Sequence, residues 1–291
     1  MSSTINCIGC GKVGKTLLKL MRDQHLVDIL GIVNRDEKSA QEAIQFIGQG
    51  TAYKTFKELP AADITLIASS DSAIQSICEA MVDQKILKPQ SIVLHCSGAL
   101  SSQVLVSAKK LNCHIASVHP VRSFADPISI IQNFKGTFCG YEGDTRIAKQ
   151  IKQLFEAIGG VIFDIDAEYK SQYHAATVMA NNYVTTLHYH AMKTMRATGV
   201  EEELAKKLIS QLMLGALENL ENNTHSKALT GPLQRGDIHV LQQHMAALNT
   251  DELTAHLYAL LGEATLPLTE HAETQLKAIR KIMKKVPTNL A

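Results

Sequence analysis

The sequence has no excess of charge of either sign. Its 29 basic residues stand against 28 acidic ones, a formal net charge of +1. A dedicated nucleic-acid binder carries a basic excess or stripe, so that class of partner is not expected. No unbroken apolar run reaches the roughly 18 residues that a membrane-spanning helix needs. No basic segment, apolar stretch and cleavage site precede the first strand candidate, so no secretory leader is expected. No HExxH and no clustered Cys/His spacing occurs, which argues against a metal site. His188 and His190 are two residues apart and point to different faces of a helix. There is no internal repeat and no low-complexity tract.

Cysteine is sparse. The six are Cys7, Cys10, Cys78, Cys96, Cys113 and Cys139, all in the first half and mostly in or beside apolar runs. In a chain of 291 residues this pattern predicts reduced thiols in a cytoplasmic setting, not a disulfide framework. Cys7 and Cys10 form a CxxC, but a glycine loop claims the same residues, so a redox role is not expected.

The 45% hydrophobic fraction is enough for one large α/β domain or two smaller ones. Strand candidates are Ile5–Ile8, Ile29–Asn34, Ile64–Ala68, Ser91–His95, His114–Val118, Thr137–Gly140 and Val161–Asp164. They are short and rich in Ile and Val, as buried strands of a mostly parallel sheet should be. Helical patterns such as Val13–Gln24, Ser72–Gln84 and Arg146–Ile158 lie between them. After Asp164 no strand pattern recurs. Helices are expected over Glu168–Arg196, Glu201–Asn222, Ile238–Leu248, Asp251–Leu261 and Leu268–Lys285, with Val286–Ala291 a loose tail. The expected fold is α/β: an N-terminal Rossmann-type doubly wound parallel sheet over 1–165, then an all-helical domain over 166–291.

Gly9-Cys10-Gly11-Lys12-Val13-Gly14 is a GxGxxG that follows one strand candidate and opens a helix. Gly9 suits the tight turn, Gly11 the approach of a pyrophosphate, and Gly14 close helix–strand packing. The bland alternative is a ligand-free turn. The next strand ends in Asn34-Arg35, where NAD-binding domains usually carry an acid. Arg35 suits a 2′-phosphate, so NADP(H) is expected ahead of NAD(H). Asp36 and Glu37 lie just beyond and pull the other way, and Arg35 as a plain surface residue is the alternative. Ser69 and Ser70 follow the strand Ile64–Ala68, and Ser97 and Gly98 follow Ser91–His95. Such strand ends face the ligand crevice, where small residues leave room for ribose or substrate, although turn and cap roles fit equally.

On the substrate side, His119 and Arg122 follow His114–Val118. His119 suits hydrogen bonding or proton donation to a carbonyl, and Arg122 a carboxylate. Lys170, His174 and Asn181 fall within roughly 40° of one another on a helical wheel. A polar stripe of that kind fits a cleft-facing set, with a wet or interface face as the alternative. Asn182, one step round, competes with Asn181. Arg235 precedes Asp237, which suits a helix cap, and either substrate anchoring or a plain junction explains it. Helices such as Lys206–Leu220 and Ile238–Leu248 carry enough Leu, Met and Ile to suggest a homodimer.

Together the fingerprint, Ser97-Gly98, His119-Pro120 with Ser123-Phe124, Tyr173-His174-Ala175-Ala176, Asn181-Asn182-Tyr183 and Thr230-Gly231-Pro232 before Arg235-Gly236-Asp237 resemble the DUF2520 Rossmann-like oxidoreductase family over nearly the whole chain. That family sits in the 6-phosphogluconate dehydrogenase-like superfamily, and some members are implicated as an alternative class of ketopantoate reductase. The resemblance implies NADPH-dependent reduction of a small 2-keto acid, ketopantoate first, and a helical domain that contributes to dimers. It aligns the helix asparagine best with Asn182. Superfamily relatives often carry a Lys-xxx-Asn pair, but here His174 stands four residues after Lys170. The His-Pro motif also resembles prephenate dehydrogenases. Imine reduction, prephenate-type oxidation and a dinucleotide sensor without turnover therefore stand as alternatives. Lys170 or His174 is the expected proton donor, and Arg122 or Arg235 the carboxylate anchor.

Overall fold

A computed structural model describes residues 2–284. The chain opens with β1 (Ser3–Ile8), α1 (Lys12–Asp23), β2 (Val27–Val33), α2 (Glu37–Ile47), β3 (Thr51–Tyr53), β4 (Ile64–Ile67), α3 (Asp71–Asp83) and β5 (Ile92–His95). A 3₁₀ segment over Ser102–Leu111 leads to β6 (His114–Pro120), α4 (Pro127–Gln132), β7 (Phe138–Gly143), α5 (Thr145–Ala157) and β8 (Val161–Asp164). The eight strands form one sheet in the order β3-β2-β1-β4-β5-β6-β7-β8. Only the β6–β7 pair is antiparallel. The order β3-β2-β1-β4-β5-β6 is that of a doubly wound dinucleotide-binding sheet.

Local chemistry explains the elements. β4 (ITLI) and β5 (IVLH) are buried at every position, as strands covered on both faces require. α1 turns Leu17, Leu18 and Met21 into the core. Two elements escape the sequence pattern. The buried face of α2 is only Ala40, Ala43 and Ile47, so its apolar stripe is faint, although Asp36 caps it by accepting from the Ser39 amide at 2.8 Å. β3 is three residues long, too short to show alternation.

The helical part comprises α6 (Lys170–Arg196), α7 (Glu202–Asn222), α8 (His225–Ala228), α9 (Pro232–Arg235), α10 (Ile238–Leu248), α11 (Glu252–Thr265) and α12 (Glu273–Met283). Among the described residues no strand follows β8. The helix expected from Glu168 is preceded by a 3₁₀ turn, Ala167–Tyr169, that Asp166 caps. The helix expected from Leu268 starts at Glu273, after a second 3₁₀ turn over Leu266–Leu268. Lys285 and the expected tail Val286–Ala291 lie outside the described residues. No described helix is long and apolar enough to cross a membrane.

The chain divides into two compact units between Asn181 and Asn182, inside α6. Sequence character alone suggests a cut at 165/166, where strands cease. The units part later because the first turns of α6 are claimed by the sheet, through Lys170, Tyr173 and His174. The second unit has its own core around Leu241, Ala259, Leu266, Ile279, Ile282 and Met283.

Candidate active site

The three glycines of the loop after β1 stand in different surroundings. Gly9 has φ +73°, and a Cβ there would fall 2.7 Å from the Ser69 Cα, so the turn closes tightly on the β4–α3 connection. A Cβ on Gly11 would meet nothing nearer than the Gly9 carbonyl at 3.9 Å, leaving the backbone open to a ligand. A Cβ on Gly14 would stand 3.2 Å from the Ala68 Cβ and the Cys10 Sγ, so α1 packs hard on the strand below. Gly11 caps α1 without a side-chain bond, and the first turn holds no acid. The first intrahelical bond runs from the Lys15 amide to the Gly11 carbonyl at 2.9 Å. The amides of Lys12, Val13 and Gly14 therefore have no partner inside the helix and face the position where helix N-termini take phosphate. The open cradle and these amides fit a dinucleotide. Among the described residues, no group of three His, Cys, Asp or Glu side chains is placed to hold a metal ion.

Asn34 and Arg35 divide two tasks. The Asn34 Oδ1 accepts from the Cys10 amide at 2.7 Å and so holds the glycine loop. Cys10 and Cys7 are buried thiols, and burial with their mutual hydrogen bond pushes Cys7 well up. Arg35 is exposed and lines a cleft of about 660 Å³ that also takes in Ser69, Lys54, Thr55 and Lys57. The acids that weaken the case for a 2′-phosphate are committed elsewhere. Asp36 caps α2, and the Ser39 bonds hold its carboxyl below the usual range. Glu37 pairs with Lys54 at 3.3 Å. Ser69 donates to the Ile8 carbonyl at 3.3 Å, and Ser70 is the N-cap residue of α3.

At the carboxyl ends of β5 and β6, two imidazoles meet over a glycine. The His119 and His174 rings stand edge to face, 5.6 Å between centroids. A Cβ on Gly98 would lie 2.8 Å from the His119 Nε2 and would also strike the His174 Nδ1. The His119 Nδ1 is 2.8 Å from the Tyr173 hydroxyl. Burial, with His174 and Lys170 nearby, holds the His119 pKa down at about 4. The Ser97 hydroxyl, expected at the substrate, instead accepts from the amides of Ala99 (3.2 Å) and Leu100 (3.0 Å) and shapes the turn. Beneath it lies His95, a residue the sequence pattern hides among apolar neighbours. Its Nδ1 accepts from the Ser97 amide at 3.1 Å and its Nε2 faces the Ser101 carbonyl at 3.2 Å. Burial drops the His95 pKa to about 3.

These two neutral rings give a pH signature. An unfolded histidine titrates near 6.5, so below that pH the unfolded chain binds more protons than the folded one. Stability should fall as pH drops from about 6.5 toward 4, by at most ~1.4 kcal/mol per pH unit for each ring, and His119's share should level off below its folded value. Asp63, held at about 2 by Lys88 and Thr4, titrates below this window. Urea midpoints at stepped pH measure the slope. An equal slope in the His95→Asn and His119→Asn variants would reject the assignment.

Lys170 is not placed to protonate a substrate. Its side chain is 1% exposed and its Nζ donates to the Glu142 Oε1 at 3.1 Å and to the Ser117 Oγ. Glu142 in turn accepts from the Ser102 amide (2.5 Å) and hydroxyl (2.7 Å). Desolvation pushes the Lys170 pKa down against the pull of Glu142. The expected stripe therefore splits: Lys170 is buried under the helix, His174 is half-buried over Gly98, and Asn181 is exposed two turns on. Asn182 is exposed as well and begins the second unit. Arg122 is also committed, its guanidinium donating to the Asn133 carbonyl and to the Thr137 Oγ1 at 3.2 Å. Arg235 is exposed at the end of α9 in the second unit, and Asp237 caps α10 by accepting from the Val240 amide at 3.2 Å. Glu142 and Tyr173 were missed. A carboxylate within the buried strand FCGYEG is the signal that should have flagged Glu142.

Solved structures share this architecture. BF3122 of Bacteroides fragilis, which bears the name of an NADP oxidoreductase, is 21% identical, with TM-score 0.75 over 91% of this chain and 98% of that one. TM1727 of Thermotoga maritima is 24% identical, with TM-score 0.68 over 97% and 100%. A reductive aminase of Aspergillus terreus, solved with NADPH and ethyl levulinate, is 14% identical, with TM-score 0.65 over 98% and 99%. At these identities the likeness is one of fold. No curated protein matches the sequence. Residues 2–120 match the family model described as a Rossmann-like domain, and residues 137–265 match the domain of unknown function DUF2520. The two models thus match successive parts of the chain, a Rossmann-like domain first and DUF2520 after it.

Proposed function

We propose that this protein is an NAD(P)H-dependent reductase of a small carbonyl compound, with NADPH as the working cofactor and a 2-keto acid, ketopantoate first, as substrate. One observation carries the reading. The open glycine loop and the His119/His174 pair lie at the carboxyl edge of the same sheet, where doubly wound folds take their ligands. Gly9, Gly11 and the first amides of α1 hold the pyrophosphate, and Arg35 holds the 2′-phosphate. Bound there, the dinucleotide supplies a hydride. The chain's own task is to orient the carbonyl, exclude water and deliver a proton to its oxygen. His119 and His174 are the groups placed for the proton. Arg122, expected as a carboxylate anchor, is committed to Asn133 and Thr137. The six free thiols fit a cytoplasmic setting.

The same commitment of Arg122 and Lys170 favours a second substrate class. Neither is free to meet a carboxylate, and a site built of two imidazoles suits an imine. The fold shared with a reductive aminase supports that reading. NADPH oxidation across a panel of 2-keto acids and cyclic imines tests both. Turnover of ketopantoate supports the first reading, and turnover of imines alone replaces it with the second. Tight NADPH binding without any turnover marks a sensor.

Arg35→Ala should raise the NADPH dissociation constant roughly tenfold or more, the cost of a charge-assisted contact. NADH binding should barely change. Fluorescence titration of both cofactors measures this, and equal losses would reject Arg35 as the discriminator.

We also propose a homodimer through α7. Leu204, Leu212, Leu214 and Leu217 on that helix are each more than half exposed, more apolar surface than a lone helix leaves in water. α10, the other helix expected there, spends Leu241, Ile238 and Met245 on the core of its own unit. A second copy of the chain is the occupant. Sedimentation at micromolar concentration should give a dimer in the unmodified protein and a monomer in Leu212→Asp. A monomeric unmodified protein overturns the proposal.

A further inference from the structure

His119 has two nitrogens with different surroundings. Nδ1 meets the Tyr173 hydroxyl at 2.8 Å, and Nε2 lies against Gly98, where a Cβ would stand 2.8 Å from it. The two aromatic rings stand at 84°, with centroids 5.6 Å apart, so the hydroxyl meets the imidazole edge and not its face. Phe163 backs the phenol at 6.0 Å, and a Cβ on Gly140 would stand 3.2 Å from its oxygen. Tyr173 is therefore held in place on several sides.

The direction of the hydrogen bond follows from what each group can do. A half-buried phenol needs an acceptor for its O–H, and among the described residues the one hydrogen-bond partner of this hydroxyl is Nδ1. Were Nδ1 the donor, the phenolic hydrogen would have no acceptor among the described residues. Burial also raises the Tyr173 pKa to about 12, so the phenol keeps its proton at any working pH. An imidazole held near 4 carries a single proton at neutral pH. With Nδ1 accepting, that proton sits on Nε2, which faces Gly98. The other titratable groups nearby do not disturb this. His174 bonds the Thr177 hydroxyl at 3.3 Å, and Lys170 is paired with Glu142.

We propose that Tyr173 is a positioning residue that fixes His119 as the Nε2–H tautomer and serves as the source of the proton that Nε2 delivers. This rests on the reductase reading above. As charge develops on the substrate oxygen, the Nε2–H bond breaks and an alcohol O–H forms. Nδ1 takes the phenolic proton; once the alcohol has formed, water returns a proton to Nε2 while Nδ1 hands its proton back to the phenolate, which restores the Nε2–H tautomer. Imidazolium is never required, which matches a ring that stays neutral in its pocket.

The test uses the full-length protein with ¹⁵N-labelled histidine. Long-range ¹H–¹⁵N correlation spectra report which ring nitrogen carries the proton, and His119→Asn identifies the resonance. The unmodified protein should show Nε2–H at His119. Tyr173→Phe, which removes one oxygen, should shift the ring toward Nδ1–H or a mixture, with NADPH binding unchanged. An Nδ1–H tautomer in the unmodified protein, or an unaltered tautomer in Tyr173→Phe, overturns the positioning role. On any substrate the panel yields, Tyr173→Phe should lower kcat at least tenfold with little change in substrate KM. A shifted tautomer with normal kcat overturns the relay. If the unmodified protein turns over nothing, the reductase reading fails, and the spectra still decide whether Tyr173 sets the ring.

Discussion

Replacing His119 with asparagine should lower turnover by roughly 10²- to 10⁴-fold, the usual worth of a positioned general acid. NADPH affinity should stay within experimental error, because the glycine loop and Arg35 make no use of this ring. Three features single out His119. It sits at the carboxyl end of β6, its Nε2 faces Gly98, and its other nitrogen is held by Tyr173. His174 shares the spot, but its Nδ1 is engaged by Thr177. His174→Ala should therefore cost less than His119→Asn. Steady-state rates with the best substrate of the panel, and cofactor binding measured separately, check this. Near-normal turnover in His119→Asn together with a large loss in His174→Ala would move the donor role to His174.

Glu142→Gln should be the most destabilising single change near the site. Lys170 and Glu142 are both almost wholly buried, 1% and 5% exposed at the side chain. Removing one partner of such a pair leaves the other charge without compensation and typically costs about 3–5 kcal/mol. The same reasoning makes Lys170→Met with Glu142→Gln far milder than Glu142→Gln alone, since a neutral pair of similar volume needs no compensation. Denaturant unfolding of the two singles and the double measures the coupling. Additive losses would mean that the ion pair is not the relevant unit. Because the Lys170 Nζ is spent on Glu142 and Ser117, the folded fraction of the double variant should keep most of its turnover. A catalytic collapse there would restore Lys170 as a donor.

The sheet was readable because strands covered on both faces are largely apolar, as β4 (ITLI) and β5 (IVLH) are. The glycine loop was readable because its setting, after a strand and before a helix, is local in sequence. The fate of Lys170 was not readable. A helical wheel gives an azimuth about an axis, not what packs against it, and Glu142 lies 28 residues away on a strand that runs antiparallel to β6. Seen from sequence, Lys170, His174 and Asn181 form one polar face. In the fold that face is divided among the protein interior, the imidazole pair and solvent. Asn34 shows the same limit. Its position at the end of β2 marks the ribose side, but its oxygen is spent on the Cys10 amide. Arg122 and Ser97 are polar groups at a crevice that turn out to satisfy their own backbone surroundings. Proximity to a ligand edge can be inferred from strand order. Whether a side chain is still free when it arrives there depends on partners distant in sequence.

The boundary inside α6 has a consequence for recombination. Relatives of this architecture invite exchange of their helical halves, and the loop after β8 looks like the natural junction. A chain cut there would lose Lys170, Tyr173 and His174 together, leaving Glu142 as an unmatched interior charge and His119 without its phenol. The graft would supply three residues of foreign helix to a socket shaped by Ser117, Ser102 and Gly98. A chimera should instead be spliced beyond Asn181, within the helix and in phase with its 3.6-residue turn. The unit of inheritance in this fold is then the sheet plus the opening turns of its exit helix.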